Sequence, residues 1–149
     1  MALEKAPLPF RLYVVTDRRQ TAGRSLEDVL QAAVQGGMGA VQLREKDLSA
    51  REMYHLGERL QAFLKPQGVP LLINDRIDVA LALDAAGVHL AGHSLPTTVA
   101  RRLLGPGKLL GVSTHSLADA LAAAADGADF MVFGPVFETP SKLAYGPPQ

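Results

Sequence analysis

A chain of 149 residues, 48% hydrophobic and 20% charged, has the size and composition of one ordinary globular domain. Fifteen Lys and Arg balance fifteen Asp and Glu, which removes the basic footprint expected of a nucleic-acid or anionic-membrane binder. The absence of cysteine excludes disulfides and thiolate metal sites. No apolar run reaches the roughly 18 residues of a membrane helix, and the opening MALEKAPLPF lacks the apolar stretch of a secretory signal, so the expectation is a soluble, cytoplasmic protein.

Short apolar runs alternate with longer helical segments. The first run, Leu12–Val15, is followed by Ser25-Leu-Glu-Asp28, which resembles a capping box with Asp for the usual Glu, and by an apolar stripe of Val29, Leu30, Ala33 and Val34 that ends at Gly36-Gly37. Ala40–Leu43 is the second run. Ser49 then caps a helix in which Met53, Leu56, Leu60 and Phe63/Leu64 recur at helical spacing until Pro66 and Gly68 stop it. Pro70–Ile73 precedes a short helix over Ile77–Leu83. Gly87–Leu90 precedes Thr97–Leu104, opened by Pro96 and ended by Gly105-Pro-Gly107. Leu109–Val112 precedes Leu117–Ala125, capped by Ser116, and Phe130–Phe133 is the last run. Continuous apolarity, rather than strict alternation, suits strands buried on both faces. A weak internal repeat, in which a small residue or Gly launches a strand at Gly39, Ala86 and Gly127, has the size of a βα unit.

Six βα-type units in a row predict a parallel α/β fold. An open doubly wound sheet and a (β/α)8 barrel both satisfy this pattern. No G-x-G-x-x-G follows the first run and no Walker A lysine motif occurs, which disfavours the nucleotide-binding open sheets.

Polar residues cluster just past the apolar runs. They include Thr16-Asp-Arg-Arg19, Gln42 with Arg44-Glu-Lys46, Asn74-Asp-Arg76, His89 with His93-Ser94, Ser113-Thr-His115 and Glu138-Thr-Pro-Ser-Lys142. A parallel sheet or barrel brings all these ends to one face. Arg44, Lys46 and Lys142 as cations, with Asp75 as an acid, suit a phosphorylated substrate and a magnesium ion. Gln42 and Arg44 alternate with Val41 and Leu43, so they point to one side, which in a barrel is the interior. Asp75 has a second reading as the cap of the helix that follows it. His89 is expected to satisfy a hydrogen bond in the core and His55 to be solvated. His115 suits either capping geometry or acid–base work.

Gln42-Leu-Arg-Glu-Lys46, Ile73-Asn-Asp-Arg76, Gly87-Val-His-Leu90, Gly111-Val-Ser-Thr-His115 and Gly134-Pro-Val-Phe-Glu-Thr139 with Lys142 resemble the motifs of the thiamine phosphate synthase and TenI (thiazole tautomerase) family, in order from about Leu12 to the end. The resemblance implies a single (β/α)8 TIM-type barrel domain over residues 1–149, of which this chain supplies the first six units and is C-terminally incomplete. It implies a synthase that joins hydroxymethylpyrimidine diphosphate to thiazole phosphate and releases pyrophosphate, or a tautomerase that isomerises the thiazole phosphate carboxylate; a non-catalytic phosphate-ligand binder or truncated relative is the third reading. Gln42, Arg44, Lys46 and Asn74 would bind the pyrimidine diphosphate. Ser113 would face the pyrimidine or its diphosphate, and Thr139, Ser141 and Lys142 would lie in the loop that holds substrate phosphates. Catalytic roles fall on Ser113, His115 and Lys142, with His115 the proton shuttle of the tautomerase. Asp75 would hold Mg2+, with Ser94 standing where the synthase pattern has a second acidic ligand. The expected partners are phosphorylated small molecules, with no nucleic acid and no membrane; assembly into a homo-oligomer is left open.

Overall fold

A computed structural model of the chain describes residues 7–140. Its elements run in strict alternation: β1 (Tyr13–Val15), α1 (Leu26–Gln35), β2 (Ala40–Leu43), α2 (Ala50–Leu64), β3 (Leu71–Asn74), α3 (Ile77–Ala82), β4 (Gly87–Leu90), α4 (Thr97–Leu104), β5 (Leu109–Thr114), α5 (Leu117–Ala125) and β6 (Phe130–Phe133). The six strands form one parallel sheet in sequential order. This is the part of a βα barrel that the repeat pattern predicts, a curved half-barrel with β1 and β6 at its two edges.

Period-2 geometry gives each strand two faces. Val41, Leu43, Leu71, Ile73, Val88, Leu90, Leu110 and Val112 point to the helices and join Leu30, Met53, Leu56 and Leu60 in one buried core. The opposite face carries Tyr13, Gln42, His89, Ser113 and Phe130, which meet one another across the concave side. Both faces are occupied, so the strands read as continuous apolar runs. Gly57 lets α2 approach α3, since a Cβ there would meet Leu83 Cδ1 at 2.4 Å.

Helix starts follow the predicted caps, with two differences. Ser49 and Glu52 form a reciprocal capping box, the Ser49 amide donating to Glu52 Oε2 at 2.8 Å and the Glu52 amide to Ser49 Oγ at 3.3 Å. Ser116 Oγ accepts from the Asp119 amide. At α1 only half the box forms: Ser25 Oγ accepts from the Asp28 amide at 3.1 Å, but Asp28, one methylene shorter than Glu, makes no return bond to the Ser25 amide. The cap role considered for Asp75 is not taken up either. The residue flanking α3 is Arg76, without a side-chain cap, and Asp75 itself sits at φ +63°, the left-handed region that Asp tolerates better than most residues. Two strands run further than expected: β3 reaches Asn74 and β5 reaches Thr114, so Asn74 and Ser113 are held on strands rather than in loops.

Candidate active site

The concave face opens at the carboxyl ends of the strands into a cavity of about 500 Å³, lined by Gln42, Arg44, Lys46, Asn74, His89, His93, Ser113 and His115, among others. Parallel strands deliver these side chains to one rim by register: Asn74 pairs with His89 across β3 and β4, and His89 with Gly111 across β4 and β5. Gly111 is small for a reason. A Cβ there would lie 2.4 Å from Phe130 Cζ and 2.7 Å from His89 Nδ1, so glycine makes room for both rings on the concave face.

Gln42 is buried, and its amide donates to Tyr13 Oη at 3.2 Å. Tyr13 Oη also meets His89 Nδ1 at 3.2 Å, and His89 Nε2 meets Ser113 Oγ at 3.0 Å. This is the satisfied core histidine expected from the sequence, but it also lines the cavity. Burial, with the positive charge of Arg44, lowers the His89 pKa to about 4, and burial raises that of the Tyr13 phenol. Both groups are therefore neutral near pH 7. On the rim, His115 Nδ1 lies 2.6 Å from the Gly134 carbonyl oxygen. A carbonyl only accepts, so Nδ1 carries a proton and donates it.

A smaller hollow of about 360 Å³ adjoins the cavity and shares Lys46, Asn74 and His93 with it; Asp75, Glu45, Arg76, Leu48 and Met53 complete its wall. Asp75 is part-exposed, and its Oδ2 is 3.8 Å from His93 Nε2. Its backbone amide donates to the His89 carbonyl at 2.9 Å, which ties the end of β3 to β4. Glu45 is buried but committed: its carboxylate accepts from the Arg18 amide at 3.0 Å and from Arg18 Nη1 at 2.9 Å. Arg18 reaches on to Asp47, whose carboxyl is held at about 2 chiefly by that hydrogen bond. The β1 and β2 loops are thus latched together beside the cavity.

Of the residues singled out in the sequence, Gln42, Arg44, Lys46, Asn74, Ser113 and His115 converge on the cavity, and Asp75 lies in the adjoining hollow. Ser94 faces its own turn instead. Its Oγ accepts from the Ala91 amide at 2.9 Å, and its amide donates to the Ala91 carbonyl at 3.0 Å. Thr139 is exposed and stands outside the cavity wall. Ser141 and Lys142 lie outside the described residues. The sequence reading missed Tyr13, which hides inside an apolar run, and the Arg18–Glu45 latch. The only signal for the latch was that both residues directly follow neighbouring strands.

A hollow of about 570 Å³ between α1 and α2 is larger, but it lies on the helical side, and its Arg18 and Arg59 are already paired with Glu45 and Glu27. Among the described residues no three His, Asp or Glu side chains come together as a metal cage. Magnesium often takes only one or two carboxylates, with substrate phosphates and water supplying the rest. Asp75, part-exposed and with only His93, at 3.8 Å, as an ion-pair partner among the described residues, fits that minimal role.

Comparison with known proteins agrees with this geometry. The family model described as thiamine monophosphate synthase matches residues 12–149. The thiamine-phosphate synthase of Roseiflexus castenholzii is 49% identical over 147 residues, covering 95% of this chain and 64% of its own. That of Syntrophomonas wolfei is 50% identical over 139 residues, covering 93% and 66%. Among solved structures, the thiamine phosphate pyrophosphorylase of Pyrococcus furiosus superposes with a TM-score of 0.80 at 38% identity, over 88% of this chain and 63% of that one. The YdjI aldolase of Escherichia coli K12, at TM-score 0.56 and 18% identity, shares the fold alone. The chain spans just under two thirds of the length of these synthases. With the family model matched from the first strand onward, the chain belongs to the thiamine monophosphate synthase family.

Proposed function

We propose that this chain carries the pyrimidine-diphosphate half of a thiamine phosphate synthase site, within an eight-unit βα barrel of the cytoplasm. The observation that carries the reading is the convergence of Arg44 and Lys46 with the neutral donors of Gln42, Asn74 and Ser113 around one cavity at the strand ends. Two cations suit a diphosphate, and amide and hydroxyl groups suit the edges of a heterocycle.

In the proposed reaction the bond between the pyrimidine methylene carbon and the diphosphate oxygen breaks, and both electrons leave with pyrophosphate. The thiazole nitrogen donates its lone pair to the methylene carbon, forming the new C–N bond. Arg44 and Lys46 hold the departing negative charge, and Lys142, with Ser141, would extend that grip. Gln42, Asn74 and Ser113 hold the pyrimidine so that the methylene faces the incoming nitrogen. Asp75 would hold a magnesium ion, which adds positive charge against the leaving diphosphate. No strong base is required, which agrees with a His89 that stays neutral and hydrogen-bonded.

One observation favours a second reading. His115 lines the cavity and is held there by its Nδ1 contact to the Gly134 carbonyl, which places an imidazole where a thiazole tautomerase would need a proton shuttle. Mixing the protein with hydroxymethylpyrimidine diphosphate and magnesium, with thiazole phosphate in one arm and the thiazole phosphate carboxylate in the other, and following both pyrophosphate release and isomerisation separates the two. Release that needs both substrates supports the synthase. Isomerisation of the thiazole phosphate carboxylate without pyrophosphate release moves the assignment to the tautomerase.

A further inference from the structure

The concave face carries a chain of hydrogen bonds from β2 through β1 and β4 to β5, and each link fixes the direction of the next. Gln42 Nε2 donates to Tyr13 Oη. A phenol has one proton to give, and His89 Nδ1, 3.2 Å away, is the acceptor that the described residues place within its reach. A neutral imidazole that accepts at Nδ1 bears its proton on Nε2. Nε2–H then donates to Ser113 Oγ, 3.0 Å away. Ser113 cannot return its hydroxyl hydrogen to that nitrogen. Its O–H turns elsewhere, and Ser113 lines the cavity.

The ring is held in this role from several sides. Tyr13 lies 5.8 Å from it by ring centroids and Phe130 5.7 Å, while Gly111 opposite leaves space for it. A charged imidazole would donate from both nitrogens and leave the Tyr13 proton without a partner.

We propose that Tyr13 and His89 are positioning residues that fix Ser113 as a hydrogen-bond donor into the cavity, so that the site selects a ligand presenting an acceptor at that point. The acceptor is an unprotonated ring nitrogen or a phosphate oxygen, and the test distinguishes them. Tyr13 does not line the cavity; it reaches the site through His89 and through Gln42, whose amide it accepts. The proposal deepens the synthase reading but stands on hydrogen-bond polarity, which is measurable without any substrate.

Imidazole nitrogen NMR on the unliganded 149-residue protein reads the tautomer directly. The expected result at neutral pH is a proton on His89 Nε2 and none on Nδ1. Tyr13→Phe keeps the ring contacts and should mix the tautomers. Hydroxymethylpyrimidine and inorganic pyrophosphate are then titrated separately. The probe that supplies the acceptor should lose about three- to ten-fold in affinity with Tyr13→Phe. Ser113→Ala should give a similar loss, and the double variant no further loss. A proton on Nδ1 in the unmodified protein overturns the proposal. So does a tautomer unmoved by Tyr13→Phe, or losses that add in the double variant. Failure of both probes to bind removes the synthase reading, and the tautomer measurement still decides the relay.

Discussion

Tyr13 on the first strand and Phe130 on the last meet edge to face with ring centroids 5.3 Å apart, although they belong to opposite edges of the sheet. Phe10 stacks on Tyr13 and meets Phe130 edge-on, at 5.5 Å in each case. Sheet curvature alone brings the edges near, and the three rings join them beneath His89. Aromatic pairs of this kind add about 0.5–1.5 kcal/mol beyond their buried area.

Removing the Phe130 ring should therefore unseat both the packing and the site. Phe130→Ala is expected to cost about 3–5 kcal/mol, read as a fall in the urea midpoint. Gly111→Ala should also destabilise, because its Cβ would press on Phe130 and His89 together. A stability equal to the unmodified protein in both variants would show that the rings are not packed as described.

Acid should weaken the fold through His89. Its pKa is lowered from 6.5 to about 4, so the native state binds fewer protons than the unfolded state between these values. Stability from this group is complete above the unfolded pKa and is lost as pH falls toward 4, by on the order of 3 kcal/mol once both states are protonated. Asp47, held at about 2, acts in the same direction in a lower window, below its ordinary value of 3.8. Denaturation midpoints measured from pH 7 down to 4 should fall in the unmodified protein and fall less in His89→Gln.

The helices were legible from their 3.6-residue apolar stripes and serine caps, and the strands from short continuous apolar runs between them. The alternation of Gln42 and Arg44 with Val41 and Leu43 predicted a shared direction, and both side chains do line the cavity. What the sequence could not carry was pairing across strands. Tyr13 reads as one more apolar strand residue until the register brings it against Gln42 and His89. Asp75 looked like a helix cap because it precedes α3, but its left-handed backbone and its amide bond to β4 turn it to another use. Ser94 is the converse case: it stands where the motif has an acidic residue, and its hydroxyl is used locally.

The cations offer a direct test of the phosphate reading. Arg44→Ala should weaken binding of hydroxymethylpyrimidine diphosphate by about ten-fold or more, since a hydrogen bond to a charged group contributes roughly 1.5–3 kcal/mol. Lys142→Ala should do the same. Calorimetric titration measures both. Unchanged affinity in both variants would return these residues to structural or solvated roles.

The last prediction concerns magnesium and the turn that ends in Ser94. The serine closes this turn by accepting from the Ala91 amide and donating back to the Ala91 carbonyl. Aspartate is a good substitute in such a turn, because one carboxylate oxygen can take over the acceptor role. The second oxygen then adds a hard ligand to the loop whose His93 already approaches Asp75 at 3.8 Å. Ser94→Asp should therefore lower the magnesium concentration needed for half-saturation, both in calorimetric titrations with pyrophosphate present and in pyrimidine–thiazole coupling. Under the tautomerase reading the same substitution should leave turnover unchanged, while His115→Ala should abolish it without moving the magnesium titration. Coupling in the unmodified protein that is already fast at low magnesium would show that Ser94 limits nothing, and that Asp75 with substrate oxygens is sufficient on its own.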